Sequence, residues 1–285
     1  MNVIYNAFYS AENKIKSPNL KLLGGVNSYL KSCYVSLKTA KLLNPQSSVV
    51  LVTNKVLPDA FKSLFLSASI EIEYLNLNTY KMPSNFKWEY AFYKLEALAH
   101  MVECDKYENI LALDTDTYVS GNLDKLWEEC KYDVPLLLPL DVECSSPVRK
   151  AIINDYLQLY GEKYPVVQIG GEFIAGSRQT LQIFSNKLLI LYQQIRTNGF
   201  KISESSGDEA LISMVMAKEN YNCARAFVGR YWGRRAYYNV SSDWVWTPIW
   251  HLPAEKNYGL IKMFEYLVDK KNMPCTETAA RLLSV

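Results

Sequence analysis

Ile110-Leu111-Ala112-Leu113-Asp114-Thr115-Asp116-Thr117 is the stretch on which the fold turns. Four apolar residues run into two carboxylates spaced i, i+2. A short apolar run bounded by polar residues reads as a buried strand, so Asn109–Leu113 is predicted as one. If the extended backbone continues through Thr115, Asp114 and Asp116 point to the same side. They then lie beyond the carboxyl end of a parallel strand, where open α/β sheets bind ligands. Two hard oxygen ligands there can hold Mg²⁺ or Mn²⁺ and leave positions for phosphate oxygens. Such a metal neutralises the charge that develops as a nucleoside diphosphate departs. The bland reading is that aspartates favour loop starts. A calcium EF-hand fails, because its fifth, sixth and twelfth positions would be Tyr118, Val119 and Lys125.

Upstream of this stretch, strands alternate with helices. Asn2–Phe8 reads as a first buried strand, followed by a Gly24-Gly25 loop. Asn27 or Ser28 is placed to cap a helix running to about Leu43, which Pro45 ends. Ser48–Thr53 reads as a strand buried on both faces, Asp59–Ser67 as a helix, Ile70–Leu77 as a strand and Lys87–Val102 as a helix. This alternation implies a parallel sheet with right-handed crossovers. Downstream the pattern is less regular. Val134–Leu140 and Val167–Ile174 read as strands, and Leu181–Thr197, Asp208–Lys218 and Tyr258–Lys270 as helices. From Ala224 to Trp250 the chain is dense in aromatic and basic residues.

The composition is that of a globular protein: 285 residues, 49% hydrophobic, 21% charged, net charge +2. It excludes a disordered tail, a collagen and a supercharged nucleic-acid binder. The cation–aromatic stretch Arg230–Arg235 therefore reads as an acceptor-glycan or anionic-carrier surface, with no nucleic acid as partner. Six cysteines without a CxxC pair indicate free thiols in a reducing compartment. No apolar run approaches the roughly 18 residues of a membrane span, and the N-terminus has no basic n-region. A cytoplasmic protein is expected, with peripheral contact at the inner membrane open to the amphipathic Tyr258–Lys270, although core packing is the better reading of that helix. The chain carries no GxxxxGK[ST], no GxGxxG after the first strand, no HExxH and no GxSxG.

The stretch Ile110–Trp127 resembles the Asp-x-Asp segment of GT-A-fold glycosyltransferases, in particular retaining families 8 and 6. Other pieces follow in the family's order. Trp88–Leu98 resembles the helix before the Asp-x-Asp strand, with Lys94 at the basic position that touches the donor. Gly170–Gly176 resembles a glycine-rich strand of family 6, and Gly207–Leu211 the acidic turn after it. Trp250-His251 and Lys256 resemble the C-terminal metal histidine and diphosphate lysine of family 8, although the spacing between His251 and Lys256 departs from that pattern. The resemblance implies a single GT-A-like α/β domain over 1–285: a Rossmann-type, nucleotide-binding mixed sheet flanked by helices. Residues 1–127 would be the nucleotide-sugar half and 128–285 the acceptor half.

It further implies a metal-dependent hexosyltransferase that uses a nucleotide sugar (UDP-Gal or UDP-Glc) with retention. The acceptor would be a glycan or lipid-linked sugar; the lack of an anchor and the Lys/Asn/Ile-rich composition point to bacterial surface polysaccharide synthesis. Asp114, Asp116 and His251 would hold Mn²⁺ or Mg²⁺, with Thr115, Lys94 and Lys256 at the diphosphate. Phe8 and Tyr9, at the tip of the first strand, would stack on the base; for Phe8, core packing competes. Gly170 and Gly171 would leave room for the donor sugar, or mark a bulge or tight turn. Asp208 and Glu209 would be catalytic, against the plainer reading of acidic residues at a helix N-terminus. Asp141 is a further candidate for sugar hydroxyls, and Trp244 and Trp246 for sugar platforms. Two other functions stay open: a sugar-phosphate nucleotidyltransferase, which should carry a Gly-rich basic loop that Tyr9–Leu23 lacks, and a non-catalytic carbohydrate binder.

Overall fold

A computed structural model of the chain describes residues 1–10, 25–204, 207–232 and 245–285. Of the sequence features, Gly24, most of the Tyr9–Leu23 stretch, Arg234, Arg235 and Trp244 lie outside these residues.

The first half follows the alternation in the sequence. Strand β1 (Asn2–Phe8), helix α1 (Gly25–Leu43), β2 (Ser48–Thr53), α2 (Asp59–Ser67), β3 (Glu71–Tyr74), α3 (Tyr93–Val102) and β4 (Asn109–Leu113) succeed one another. Helix α1 starts at Gly25, so Asn27 and Ser28 lie inside it and do not cap it. The expected strand Ile70–Leu77 shortens to four residues. The expected helix Lys87–Val102 begins as a 3₁₀ turn at Glu89–Phe92 before α3. The chain then folds through β5 (Thr117–Val119), α4 (Asp124–Glu129), β6 (Leu136–Pro139), α5 (Pro147–Tyr160), β7 (Ile169–Ser177), α6 (Arg178–Thr197), α7 (Asp208–Val215), β8 (Asn222–Cys223), β9 (Val228–Arg230), β10 (Ile249–His251), α8 (Gly259–Lys270) and α9 (Thr276–Leu283). Helix α5 begins on Pro147 and stops at Gly161 in the left-handed conformation (φ 70°), the usual start and stop residues of a helix.

Seven strands form one sheet in the order β3-β2-β1-β4-β7-β6-β8. The β3-β2-β1-β4 block is parallel, as the alternation implies. Beyond it the sheet is mixed: β7 runs antiparallel to β4 and β6 antiparallel to β7. A second, three-stranded sheet has the order β5-β10-β9.

The strand period of two divides the core. Ile4, Leu51 and Leu111 face a layer containing Leu30, Leu37, Phe65, Leu260 and Met263. Val3, Tyr5, Ile110 and Ala112 face one built from α3, α6 and α7 residues such as Leu95, Leu98, Leu188 and Leu211. Leu260, Met263 and Leu267 of α8 are buried, so this helix spends its apolar face on the core.

Candidate active site

The two aspartates of the site are placed by the turn that follows β4. The backbone does not stay extended: it turns at Thr115-Asp116 and returns as β5. The two carboxylates therefore converge through a tight turn and not through the pleat.

Buried polar groups hold that turn. The Asp114 N–H donates to the Glu172 carbonyl (3.0 Å). The Asp114 carbonyl accepts from Thr117 Oγ1 (2.9 Å) and Asn6 Nδ2 (3.3 Å). Since the Thr117 hydroxyl donates there, Ser36 Oγ in α1 donates to it in turn (2.7 Å). Strand β10 pairs antiparallel with β5, setting His251 opposite Thr117. The Leu252 N–H completes the link by donating to the Asp116 carbonyl (2.9 Å).

The result brings together the three residues expected to bind metal. Ligand atoms of Asp114, Asp116 and His251 all lie within 4.8 Å of one another. His251 Nε2 is 3.4 Å from Asp116 Oδ2 and 3.8 Å from Asp114 Oδ2. Asp116 Oδ1 is buried with no hydrogen-bond partner, an expensive state for a carboxylate oxygen unless a cation meets it. Two carboxylates and an imidazole suit Mn²⁺ or Mg²⁺, so the residues present fit the metal.

Two lysines approach the same carboxylates. Lys256 Nζ lies 3.0 Å from Asp116 Oδ2 and over the Tyr29 ring. Lys94 Nζ contacts Asp114 Oδ1 (2.5 Å), Asp208 Oδ2 (2.9 Å) and the Gly171 carbonyl (2.5 Å).

Buried charge sets the protonation states. Burial would raise the Asp116 pKa, but Lys256 and His251 outweigh it and hold this carboxyl well below the usual range. For His251, burial opposes the charge. Asp116 and Glu172 overcome it and lift the imidazole to about 9. Asp208 is raised, first by burial and then by Asp114 and Glu209, with Lys94 pulling the other way.

These groups line a cavity of about 450 Å³. Phe8, Tyr9, Lys94, Thr115, Asp208, Glu209 and Lys256 all face it, with the metal set. Tyr9 stacks on Tyr90 with ring centroids 4.7 Å apart, and Phe8, although it borders the cavity, is 6% exposed and belongs to the core.

Other sequence candidates lie elsewhere. Gly170 and Gly171 do not line the cavity. A Cβ on Gly170 would meet Glu172 Oε2 at 2.2 Å, and one on Gly171 would meet Asp208 Oδ2 at 2.4 Å. Their bareness makes room for the protein's own carboxylates. Asp141 is exposed and pairs with Arg225 (2.5 Å), and Trp246 is 84% exposed.

Two residues, Glu172 and Gln168, went without a role in the sequence reading, and a third, Arg230, was read only as part of a surface. Glu172 is fully buried in β7. Arg230 grips it with two bonds, Nε to Oε1 (2.7 Å) and Nη2 to Oε2 (2.6 Å), and reaches Glu209 Oε1 as well (2.6 Å). Gln168 Nε2 donates to Glu209 Oε2 (2.8 Å). The signal for Glu172 was available: a charge inside an apolar strand needs a partner.

The sequence matches no family model and no curated protein. Solved structures share its fold. Mouse xyloside xylosyltransferase 1, in its apo form, superposes with a TM-score of 0.53 at 14% identity, covering 88% of this chain and 97% of that one. The galactosyltransferase LgtC, in complex with donor and acceptor sugar analogues, gives 0.59 at 12%, covering 96% and 98%. The bifunctional glycosyltransferase WbbM, also apo, gives 0.62 at 11%, covering 98% of this chain and 51% of its own. At such identities the likeness is one of fold, and that fold is GT-A.

Proposed function

We propose that the chain is a metal-dependent glycosyltransferase that moves a hexose from a UDP-sugar to a glycan or lipid-linked sugar. The observation that carries this is the convergence of Asp114, Asp116 and His251 within 4.8 Å, on the wall of a cavity that also receives Lys94, Lys256 and Tyr9. A divalent ion bound there supplies charge neutralisation for the leaving diphosphate. Lys256, already beside Asp116, adds a second positive group for the phosphates.

The bond that breaks is C1–O of the donor, and its electron pair leaves on the diphosphate. The bond that forms joins C1 to the acceptor oxygen, whose proton passes to the departing phosphate oxygen. The centre between is oxocarbenium-like. Glu209 has both oxygens engaged, by Arg230 and Gln168. That favours a role in stabilising positive charge over nucleophilic attack, and with it transfer on one face with retention. Asp208, fixed by Lys94, is read as the partner of a donor-sugar hydroxyl.

We read 1–285 as one transferase domain, with 1–127 the donor half and 128–285 the acceptor half. Among the described residues no helix is long and apolar enough to cross a membrane. A cytoplasmic enzyme working at the inner face of a bacterial membrane, on surface polysaccharide, is consistent with that and is proposed. Incubation with UDP-galactose or UDP-glucose and Mn²⁺ is expected to release UDP slowly, and EDTA to stop it. Sugar binding indifferent to EDTA, with no turnover of either donor, would favour a carbohydrate-binding protein instead.

A further inference from the structure

Glu172 is a fully buried charge that the proposed chemistry leaves unused. It sits mid-strand in β7, 0% exposed, where a lone carboxylate is costly. Its Oε1 lies 3.2 Å from His251 Nδ1, an ion-pair contact whose geometry does not close a hydrogen bond. The two nitrogens of an imidazole are distinct, and a partner on one decides what the other presents. With Nδ1 turned to Glu172, Nε2 is the atom left facing Asp114 and Asp116.

Two further features serve this arrangement. Arg230 neutralises Glu172 through both of its oxygens, and Arg230 is itself paired with His251 across adjacent strands β9 and β10. Gly170 supplies the space, since any side chain there would collide with the Glu172 carboxylate. Carboxylates behind ligating histidines fix ring orientation and raise ligand basicity.

We propose that Glu172, backed by Arg230 and given clearance by Gly170, is a positioning residue that presents His251 Nε2 to the metal. This rests on the metal-site reading above. The glycine before the strand's buried glutamate is then part of the metal centre without touching a ligand.

The test is Mn²⁺ affinity, titrated by electron paramagnetic resonance on wild type, E172Q and G170A, with thermal unfolding of each. Folded E172Q is expected to bind Mn²⁺ about 10–100-fold more weakly. G170A should move in the same direction, because its methyl displaces the carboxylate, and it carries the test if E172Q does not fold. A merely structural role would lower the unfolding temperature and leave the Mn²⁺ Kd unchanged. Wild-type affinity in a folded variant overturns the inference and spares the metal site. A wild type that binds no Mn²⁺ overturns both.

Discussion

The β3-β2-β1-β4 block and the β7-β9-β10 region solve opposite problems. Apart from the charged edge strand β3, the first is built of apolar strands: every residue of β2 is buried, and none is charged. It is held by burial on both faces. The second hides Glu172, Arg230 and His251 close together, where each charge is tolerable only through its neighbours. One region makes a platform; the other makes a site. Perturbing the platform should change how firmly the chain folds, and perturbing the site should change what it binds.

The sharpest contrast is D116N, which removes charge between Lys256 and His251. UDP release should fall about 10²–10³-fold or more, with the far-ultraviolet circular dichroism unchanged. Undiminished turnover would break the division. L111A in the platform should do the reverse. It should cost about 2–5 kcal/mol in denaturant unfolding, while the folded fraction keeps wild-type Mn²⁺ affinity.

A third test uses pH. The folded pKa of His251 is raised, from 6.5 to about 9. Its charge therefore stabilises the metal-free fold fully below pH 6.5, and that contribution disappears as pH climbs through about 9. In EDTA, stability should fall across this window by something on the order of 3 kcal/mol, and H251Q should flatten the profile.

T117V deletes the hydroxyl that pins Asp114. It should cost about 1 kcal/mol and weaken Mn²⁺ binding measurably. D141N, at the exposed pair with Arg225, should stay within about 0.5 kcal/mol and leave turnover unaltered.

How much could be read from the chain follows the same division. β1, β2 and β4 and helix α2 appear where hydrophobic patterning places them, because their environment is uniform and patterning reports environment. Asp114 and Asp116 were singled out by residue type and His251 by the family resemblance, and the fold brings the three together, yet the predicted extended geometry gave way to a turn. Besides the local Thr117 hydroxyl, the groups that hold that turn come from Asn6, Ser36, Glu172 and Leu252, far away in sequence. Helix α5 escaped notice although Pro147 and Gly161 bracket it, since only Ile152, Asp155 and Tyr156 of it are buried and its apolar stripe is thin. Arg230 was seen, but as surface. Its partner is 58 residues away, a distance across which periodicity carries no information.

The antiparallel pairing of His251 with Thr117 has a consequence for how such a protein can diversify. Ladder hydrogen bonds to a strand that directly follows the aspartates fix the histidine, so backbone pairing sets the distance between the imidazole and the two carboxylates. Substitutions in the cavity wall away from β5 and β10 would then alter what the cavity admits while the imidazole stays beside the two aspartates.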